Sequence, residues 1–593
     1  MQNKTIKYSD LLADWLKEKG YTHCFYVAGG NIMHILASVN RHFKCVSVVH
    51  EVAAGIAAEY FNEISADGKA FALVTAGPGL TNIVTAVAGA YLESRELLVI
   101  GGQVKTADLC RQQVRQRGIQ EIDGVDIVKP ITSKSVLMDS LISCEEFNQI
   151  IDADITGRKG PVFLEIPLDI QGAPVDASDP LCQFRTSEKH AIPAIGAAEI
   201  QRLIDDVRSA KRPFLLIGAG VARQTVEQIY DTLEPMGIPL ATTWNGADRV
   251  AADHPLYFGR PNTWGQRYSN LLMQQADLLI ALGTRLGLQQ TGFNWQEFVP
   301  NGRVVQVECD PSELNKGHPR VDCSLQGDAN QVIKALAAAS LGDHSEWVSY
   351  CQKVKTQLPL IEPINNTAEN YVSPYDFVSR LSVHCRETDN VIPCSSGGAF
   401  TVMMQTFAQQ RGQHIVTNKG LASMGYGLSG AMGAAFAYPQ RRTILVEGDG
   451  GFAQNLQELG TVAVNKLNLK IFIFNDNGYA SIRMTQRNYF NGAYIGCDQS
   501  SGLGLPDWLT LFKAFNLPCI KLDTNFEQNP EFQRLFESDQ PAGFIVPIDP
   551  EQTYLPKITS RVTETGSMQS NPLHQMTPDL DEHLYSVVAQ YLQ

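Results

Sequence analysis

Basic residues are in short supply in this 593-residue chain: 48 Lys and Arg stand against 62 Asp and Glu, a formal net charge of −14. An acidic surface repels phosphate backbones and anionic lipid, so neither nucleic acid nor membrane is expected as a partner. Apolar runs long enough to span a bilayer are missing, and the first residues lead into an amphipathic stretch, 8–19, rather than the apolar core of a signal peptide. The twelve cysteines lie singly, with no CxxC pair. That usage suits a reducing compartment and indicates neither a disulfide framework nor a zinc site. A cytoplasmic protein is therefore expected. With 44% hydrophobic and 19% charged residues the chain has the balance of a packed soluble protein, and its length demands several cores.

Short runs that are apolar at nearly every position recur along it: 70–75, 97–100, 214–217, 278–282, 304–307, 443–446 and 470–474. Gly-rich turns and Ala-rich helical stretches follow them, the pattern of buried parallel strands. Two Pro-rich, weakly patterned segments, 176–198 and 358–374, divide the chain. The expected architecture is α/β, three doubly wound parallel-sheet domains at 1–180, 195–345 and 370–555. A tail, 556–593, is polar until a short helical pattern at 580–592. The first and third domains share a strand, Gly-turn, helix rhythm.

The third domain carries the densest chemistry. One strand runs into Glu447-Gly448-Asp449-Gly450-Gly451, and the next ends in Asn475-Asp476-Asn477-Gly478-Tyr479. Asp449 and Asp476 are thus expected at the carboxyl ends of parallel strands, where α/β sheets hold ligands. Two hard oxygen ligands suit Mg²⁺ or Ca²⁺ with room left for a diphosphate. Glycines 448, 450 and 451 let backbone N–H groups reach phosphate oxygens. A lone Gly-Asp-Gly is more often a plain tight turn; the second acidic, Asn-rich turn reverses that reading. In the first domain, Val48-Val49-His50-Glu51 precedes a small-residue helix, and Thr75-Ala76-Gly77-Pro78-Gly79-Leu80-Thr81-Asn82 follows. Glu51 could simply be a charge at a helix N-terminus. A third small-residue run is Gly420-Leu421-Ala422-Ser423-Met424-Gly425-Tyr426-Gly427.

In this order the motifs resemble those of thiamine-diphosphate enzymes. Over essentially the whole chain they resemble the large-subunit family of acetohydroxyacid synthases, which reads His-Glu, then Ser-Gly-Pro-Gly-x-x-Asn. The resemblance implies metal ligation by Asp449, Asp476 and the carbonyl of Gly478, with Asp476 standing where most members have Asn. It implies that Glu51, a carboxyl in a poorly solvated pocket, shares a proton with the cofactor's pyrimidine ring. Met424 would wedge the two rings into their bent shape, although Met is also ordinary core filler; the carbonyl of Ala422 would accept from the amino group. Further cofactor contacts implied are Ala28, Gly29, Gly77, Asn82, Ser396, Gly397, Gly398, Ala399, Gly448, Gly450, Gly451 and Tyr479. Gln120 matches a glutamine that faces the active site. The family's active sites lie between subunits, so a homodimer or a dimer of dimers is expected.

The departures bear on the reaction. No adjacent His-His pair exists, which removes the proton relay of simple 2-keto acid decarboxylases. In 282–292 the first of two family arginines is kept as Arg285. The second, which holds the acceptor's carboxylate, falls on Gln289, and an active-site tryptophan falls on Thr485. A neutral amide forgoes a charge-assisted contact of about 1.5–3 kcal/mol. The resemblance therefore points to transfer of the acyl unit of a 2-keto acid, pyruvate, onto a ketone or aldehyde, including keto-sugars. Acetolactate synthesis, cyclic-diketone cleavage and pyruvate oxidase-type chemistry stay open. The middle-domain run 214–220 looks like a dinucleotide turn without its third glycine. Gly218, Gly220, Gly265, Arg285, Asp310 and Asp328 fall on positions that contact FAD in flavin-bearing relatives, implying a flavin bound without redox use.

Overall fold

A computed structural model describes residues 5–111, 113–154, 157–184, 192–562 and 566–592. The middle of the expected linker at 176–198, residues 185–191, lies outside them. Every apolar run singled out above is a strand, and the strands form three parallel sheets.

In the first domain the strands are Tyr21–Tyr26 (β1), Lys44–Ser47 (β2), Lys69–Val74 (β3), Leu97–Gln103 (β4), Lys134–Leu137 (β5) and Pro161–Pro167 (β6), arranged β2-β1-β3-β4-β6-β5. The middle domain has Pro213–Ile217 (β7), Leu240–Thr242 (β8), Leu278–Leu282 (β9), Arg303–Glu308 (β10) and Cys323–Gln326 (β11), arranged β8-β7-β9-β10-β11. The third has Asn390–Ile392 (β12), His414–Ile415 (β13), Thr443–Gly448 (β14), Leu469–Asn475 (β15), Cys519–Lys521 (β16) and Ala542–Pro547 (β17), arranged β13-β12-β14-β15-β17-β16. The outer sheets therefore share one strand order. In all three the order reverses beside the domain's first strand, opening a crevice at the carboxyl ends where ligands bind such sheets.

Glycines close the crevices. A Cβ on Gly29, after β1, would lie 2.4 Å from the Cβ of Thr75, after β3. One on Gly218, after β7, would lie 2.2 Å from the carbonyl of Gly283, after β9. Between domains, helix Glu51–Ile64 packs on helix Tyr426–Ala437. Small residues permit this: a Cβ on Gly433 would lie 2.2 Å from the Ala57 carbonyl. Buried charges extend the junction. Arg95 bonds Glu59 at 2.8 Å and the Thr417 carbonyl at 2.6 Å. Arg223 of the middle domain bonds Glu63 at 3.0 Å and Asp248 at 2.7 Å, while Asp248 accepts from the Ile415 N–H at 2.8 Å.

The tail is more structured than its polar sequence suggests. It forms a two-stranded ribbon, Ser560–Val562 with Met568–Ser570, and a helix, Glu582–Val588. Leu573, Met576 and Val588 join the apolar core of the middle domain, as does Trp347 of helix Ser345–Gln357, beyond the expected limit at 345. Among the described residues no helix is long and apolar enough to cross a membrane.

Candidate active site

The third-domain crevice holds the predicted acidic pair. Asp449 opens the short helix Asp449–Phe452 at the end of β14; its side chain is buried and accepts from the N–H groups of Gly450 (2.7 Å) and Gly478 (3.2 Å). Asp476 follows β15 and is also buried. Burial, and then the charge of Asp476, hold the Asp449 carboxyl well above the usual carboxylate range. Burial pushes Asp476 up to about 7, against the opposing pull of Arg483. Two buried carboxylates, both raised by burial and one of them further by the other's charge, mark a site that a divalent cation would suit. Among the described residues no cluster of three metal-binding side chains occurs, and the expected set contains only two, with a carbonyl as the third. The turns beside the pair leave room: a Cβ on Gly397 (φ +82°) or on Gly448 would meet nothing within 4 Å. A metal-bound diphosphate fits that chemistry and that space.

Other expected diphosphate contacts are closely packed on their far side. A Cβ on Gly398 would lie 2.2 Å from the Tyr554 ring, and one on Gly450 would lie 2.3 Å from the ring of Tyr479. Gly451 faces the Glu447 carboxylate. Ser396 caps helix Gly397–Thr406 with its backbone, and Ala399 is buried in that helix.

Met424 is 36% exposed, on a loop fastened from below. Ser395 donates to the Ser423 carbonyl, Asn455 to the Gly425 carbonyl at 2.6 Å, and Gln454 reaches the Met424 sulfur. Ala422 takes φ +56°, a left-handed conformation unusual for a residue with a Cβ. Exposure and anchoring together oppose the core-filler reading of Met424.

In the first domain Glu51 begins helix Glu51–Ile64 and is 7% exposed. Asn82 donates to its carboxylate at 2.9 Å, so this expected cofactor contact orients the glutamate. The N–H groups of Val49 and His50 donate to Glu458 of the third domain. Gly77 (φ +67°) packs on the backbone of Gln120, where a Cβ would lie 2.3 Å from its carbonyl. Gln120 is itself left-handed (φ +63°) and exposed. Ala28 and Gly29 line the crevice mouth after β1.

The middle-domain residues gather less closely. Gly218 and Gly220 press on Gly283, Gly265 presses on Asn262, Asp328 caps helix Ala329–Ala338, and Asp310 caps Pro311–Leu314 and bonds Arg158 at 2.8 Å. All but Gly265 follow strand carboxyl ends. Both acids are already satisfied within the chain.

Sequence reasoning passed over Arg483, Tyr554, Asn455 and Glu458. Arg483, seven residues beyond Asp476 on helix Ala480–Tyr489, bonds the Asp476 carboxylate at 2.6 Å and its carbonyl at 2.9 Å. The atypical acid at 476 was a signal that a buried cation would sit beside it.

Family comparisons agree with this geometry. Models of the thiamine pyrophosphate enzymes match in three parts: the N-terminal TPP-binding domain at 6–127, the central domain at 200–336 and the C-terminal TPP-binding domain at 396–546. The chain belongs to the thiamine pyrophosphate enzymes. It is similar to the acetolactate synthase isozyme 1 large subunit of Escherichia coli K12, 27% identical over 95% of this chain and 97% of that protein. The isozyme 2 large subunit of the same organism is 29% identical, covering 92% and 96%. The acetolactate synthase large subunit of Corynebacterium glutamicum is 28% identical, covering 90% and 85%. The chain is thus an acetolactate synthase-like enzyme of thiamine pyrophosphate (thiamine diphosphate).

Proposed function

We propose that the enzyme decarboxylates pyruvate and transfers the acyl unit to a ketone or aldehyde, with a keto-sugar among the acceptors it suits. Thiamine diphosphate, when bound, supplies the nucleophilic carbon and the electron sink that loss of CO₂ requires. Asp449, Asp476 and the Gly478 carbonyl would hold its Mg²⁺, and Gly397 and Gly448 would leave room for the diphosphate. The wedge loop would set the ring geometry through Met424 and the Ala422 carbonyl. Glu51, oriented by Asn82, would share a proton with the pyrimidine nitrogen. In this reading Glu51 and Gln120 of one subunit face the metal site of another, making a homodimer the smallest active unit. FAD in the middle domain, bound by Gly218, Gly220, Gly265, Arg285, Asp310 and Asp328 and not reduced in turnover, belongs to the same reading.

The observation that carries the acceptor assignment is the pair of substitutions at 289 and 485. Gln289 is exposed, its carbonyl accepting from the Thr263 N–H at 2.9 Å. Thr485 is exposed, its hydroxyl turned back onto the Ser481 carbonyl. Neither offers a cation or a large ring to a second keto acid. The relatives' names favour acetolactate synthesis as the second reading. Product analysis with labelled pyruvate, alone and with ketones, separates the two. Acetolactate from pyruvate alone is expected to be minor, and Gln289→Arg to raise it by up to about tenfold per 1.4 kcal/mol of recovered carboxylate binding. Wild-type acetolactate synthesis as fast as the best ketone reaction would return the chain to the synthase reading. Bleaching of a bound flavin under pyruvate would instead favour an oxidase.

A further inference from the structure

Segment 554–558 leaves the third domain along the edge of the active site. Tyr554 is buried against Gly398, in the turn after β12. Three residues on, Lys557 exchanges backbone hydrogen bonds with Thr577 of the tail, and the Ile558 N–H donates to the Thr263 carbonyl at 2.8 Å. Thr263 is also the residue whose N–H meets the carbonyl of Gln289. The Lys557 ammonium lies 4.7 Å from the centre of the Trp264 ring and 3.9 Å from the sulfur of Met484, the residue before Thr485. Middle domain, third domain and tail thus meet at Trp264, Met484 and Lys557, with the Gln289 carbonyl bonded to the neighbouring Thr263 and Thr485 next in sequence to Met484. Exposed apolar side chains, Leu288, Phe293 and Ile482, lie on the same two segments.

Lys557 is half-buried, and its side-chain neighbours are an indole and a thioether. Among the described residues no carboxylate pairs with it; Glu551, the nearest acid before it in sequence, is taken by Arg487 and Tyr494. Burial, and then the charge of Arg487, lower its pKa. A desolvated ammonium resting on an aromatic face is a half-built anion site: the ring orients the cation, and the counter-charge has yet to arrive.

We propose that Lys557, seated on Trp264, binds an oxyanion, carboxylate or phosphate, carried by the carbonyl acceptor. Gln289 leaves a carboxylate beside the acceptor's carbonyl without a charge partner, and the cation at hand is Lys557, joined to Gln289 through the backbone of Thr263 and Ile558. The favoured acceptor is then a ketone or aldehyde with its negative charge away from the reacting carbon. This inference rests on the carboligase reading above.

Its test uses the enzyme loaded with thiamine diphosphate and Mg²⁺, pyruvate as donor, and matched acceptors: dihydroxyacetone phosphate against dihydroxyacetone, and 4-oxopentanoate against 2-pentanone. Lys557→Met places a thioether among apolar neighbours and is expected to fold. The KM for the anionic member of at least one pair should rise by about tenfold or more. The KM for its neutral partner and the release of CO₂ from pyruvate should not change, and Lys557→Arg should stay near wild type. Loss on the phosphate pair alone identifies a phosphorylated acceptor; loss on the keto acid alone identifies a carboxylate. An unchanged anionic-to-neutral ratio on both pairs overturns the proposal. A second readout needs no turnover: inorganic phosphate should quench the fluorescence of the loaded wild-type protein, and neither Lys557→Met nor Trp264→Phe should show that quench. Absence of quenching in the wild type also counts against it. A wild type that releases no CO₂ from pyruvate defeats the carboligase reading instead, and leaves the quench to decide the anion site.

Discussion

Asp476 and Arg483 form a buried pair whose side chains are 6% and 4% exposed. The guanidinium also holds the Asp476 carbonyl, so it fixes both the direction and the charge of an expected metal ligand. Removing one member of such a pair strands a charge in low dielectric. Arg483→Met should destabilise the metal-free protein by about 3–5 kcal/mol. Mg²⁺ with thiamine diphosphate should recover much of the loss, since the ion supplies the missing positive charge. Melting temperatures with and without the cofactor pair check this; equal losses in both states would mean the arginine serves packing alone. Glu51 acts by a different means, through a proton. Glu51→Gln keeps the hydrogen bond from Asn82 possible but cannot carry the charge, and turnover should fall by about 100-fold or more while the fold is kept. Proton–deuterium exchange at C2 of the bound cofactor reports the step directly, and a wild-type exchange rate would remove Glu51 from it.

The loop around Met424 shows how an element can be held in a shape its sequence does not favour. Gly425 (φ +83°) closes it, and a Cβ there would lie 2.9 Å from the Asn455 amide that holds the Gly425 carbonyl. Gly425→Ala should cost about 1–2 kcal/mol from the left-handed backbone alone. It should also weaken cofactor binding, because the amide must shift and Met424 with it. Calorimetric titration with thiamine diphosphate is the check, and an unchanged affinity would show that the loop tolerates the shift. The loop was visible in the sequence as a run of small residues around Met424. Its anchors were not: Ser395 lies 28 residues before Ser423, and Asn455 lies 30 after Gly425.

Across the molecule, the three domains meet through a few buried charges. Burial would raise Glu63, but Arg223, Arg95 and Arg249 outweigh it and hold its carboxyl at about 2. Asp248 is held at about 2 by Arg223 and Arg249 against the same burial effect. Both carboxylates are therefore more acidic folded than unfolded. Their stabilisation is complete above the ordinary carboxylate range and is lost as pH falls from about 4.5 toward 2. Glu165 behaves oppositely: burial raises it to about 8, and Asp123 and Glu121 add to the rise. Its contribution is complete below about 4.5 and is lost as pH climbs toward 8, at up to about 1.4 kcal/mol per pH unit. Glu63→Gln should lower stability near pH 7 by about 2 kcal/mol, since its side chain and that of Arg223 are each about a fifth exposed. It should also flatten the acid side of the stability profile, whereas Glu165→Gln should flatten the alkaline side. Thermal melts across pH 3–9 measure both slopes; parallel wild-type and variant profiles would exclude these groups as the origin.

The strands, the acidic turns at 449 and 476, and the small-residue runs around Glu51 and Met424 were legible in the residues themselves. Apolar continuity, glycine and paired carboxylates are local signals, and local signals survive in one dimension. What tertiary structure alone decided is which contacts each residue makes. Gly398 and Gly450, expected at the diphosphate, pack their Cα faces against the rings of Tyr554 and Tyr479. Asn82 looks like a cofactor contact and bonds Glu51. The polar tail at 556–593 completes the apolar core of the middle domain and sets Lys557 on Trp264, nearly 300 residues away in sequence. A close approach between distant segments depends on how whole sheets and helices stack, and no spacing along the chain encodes it.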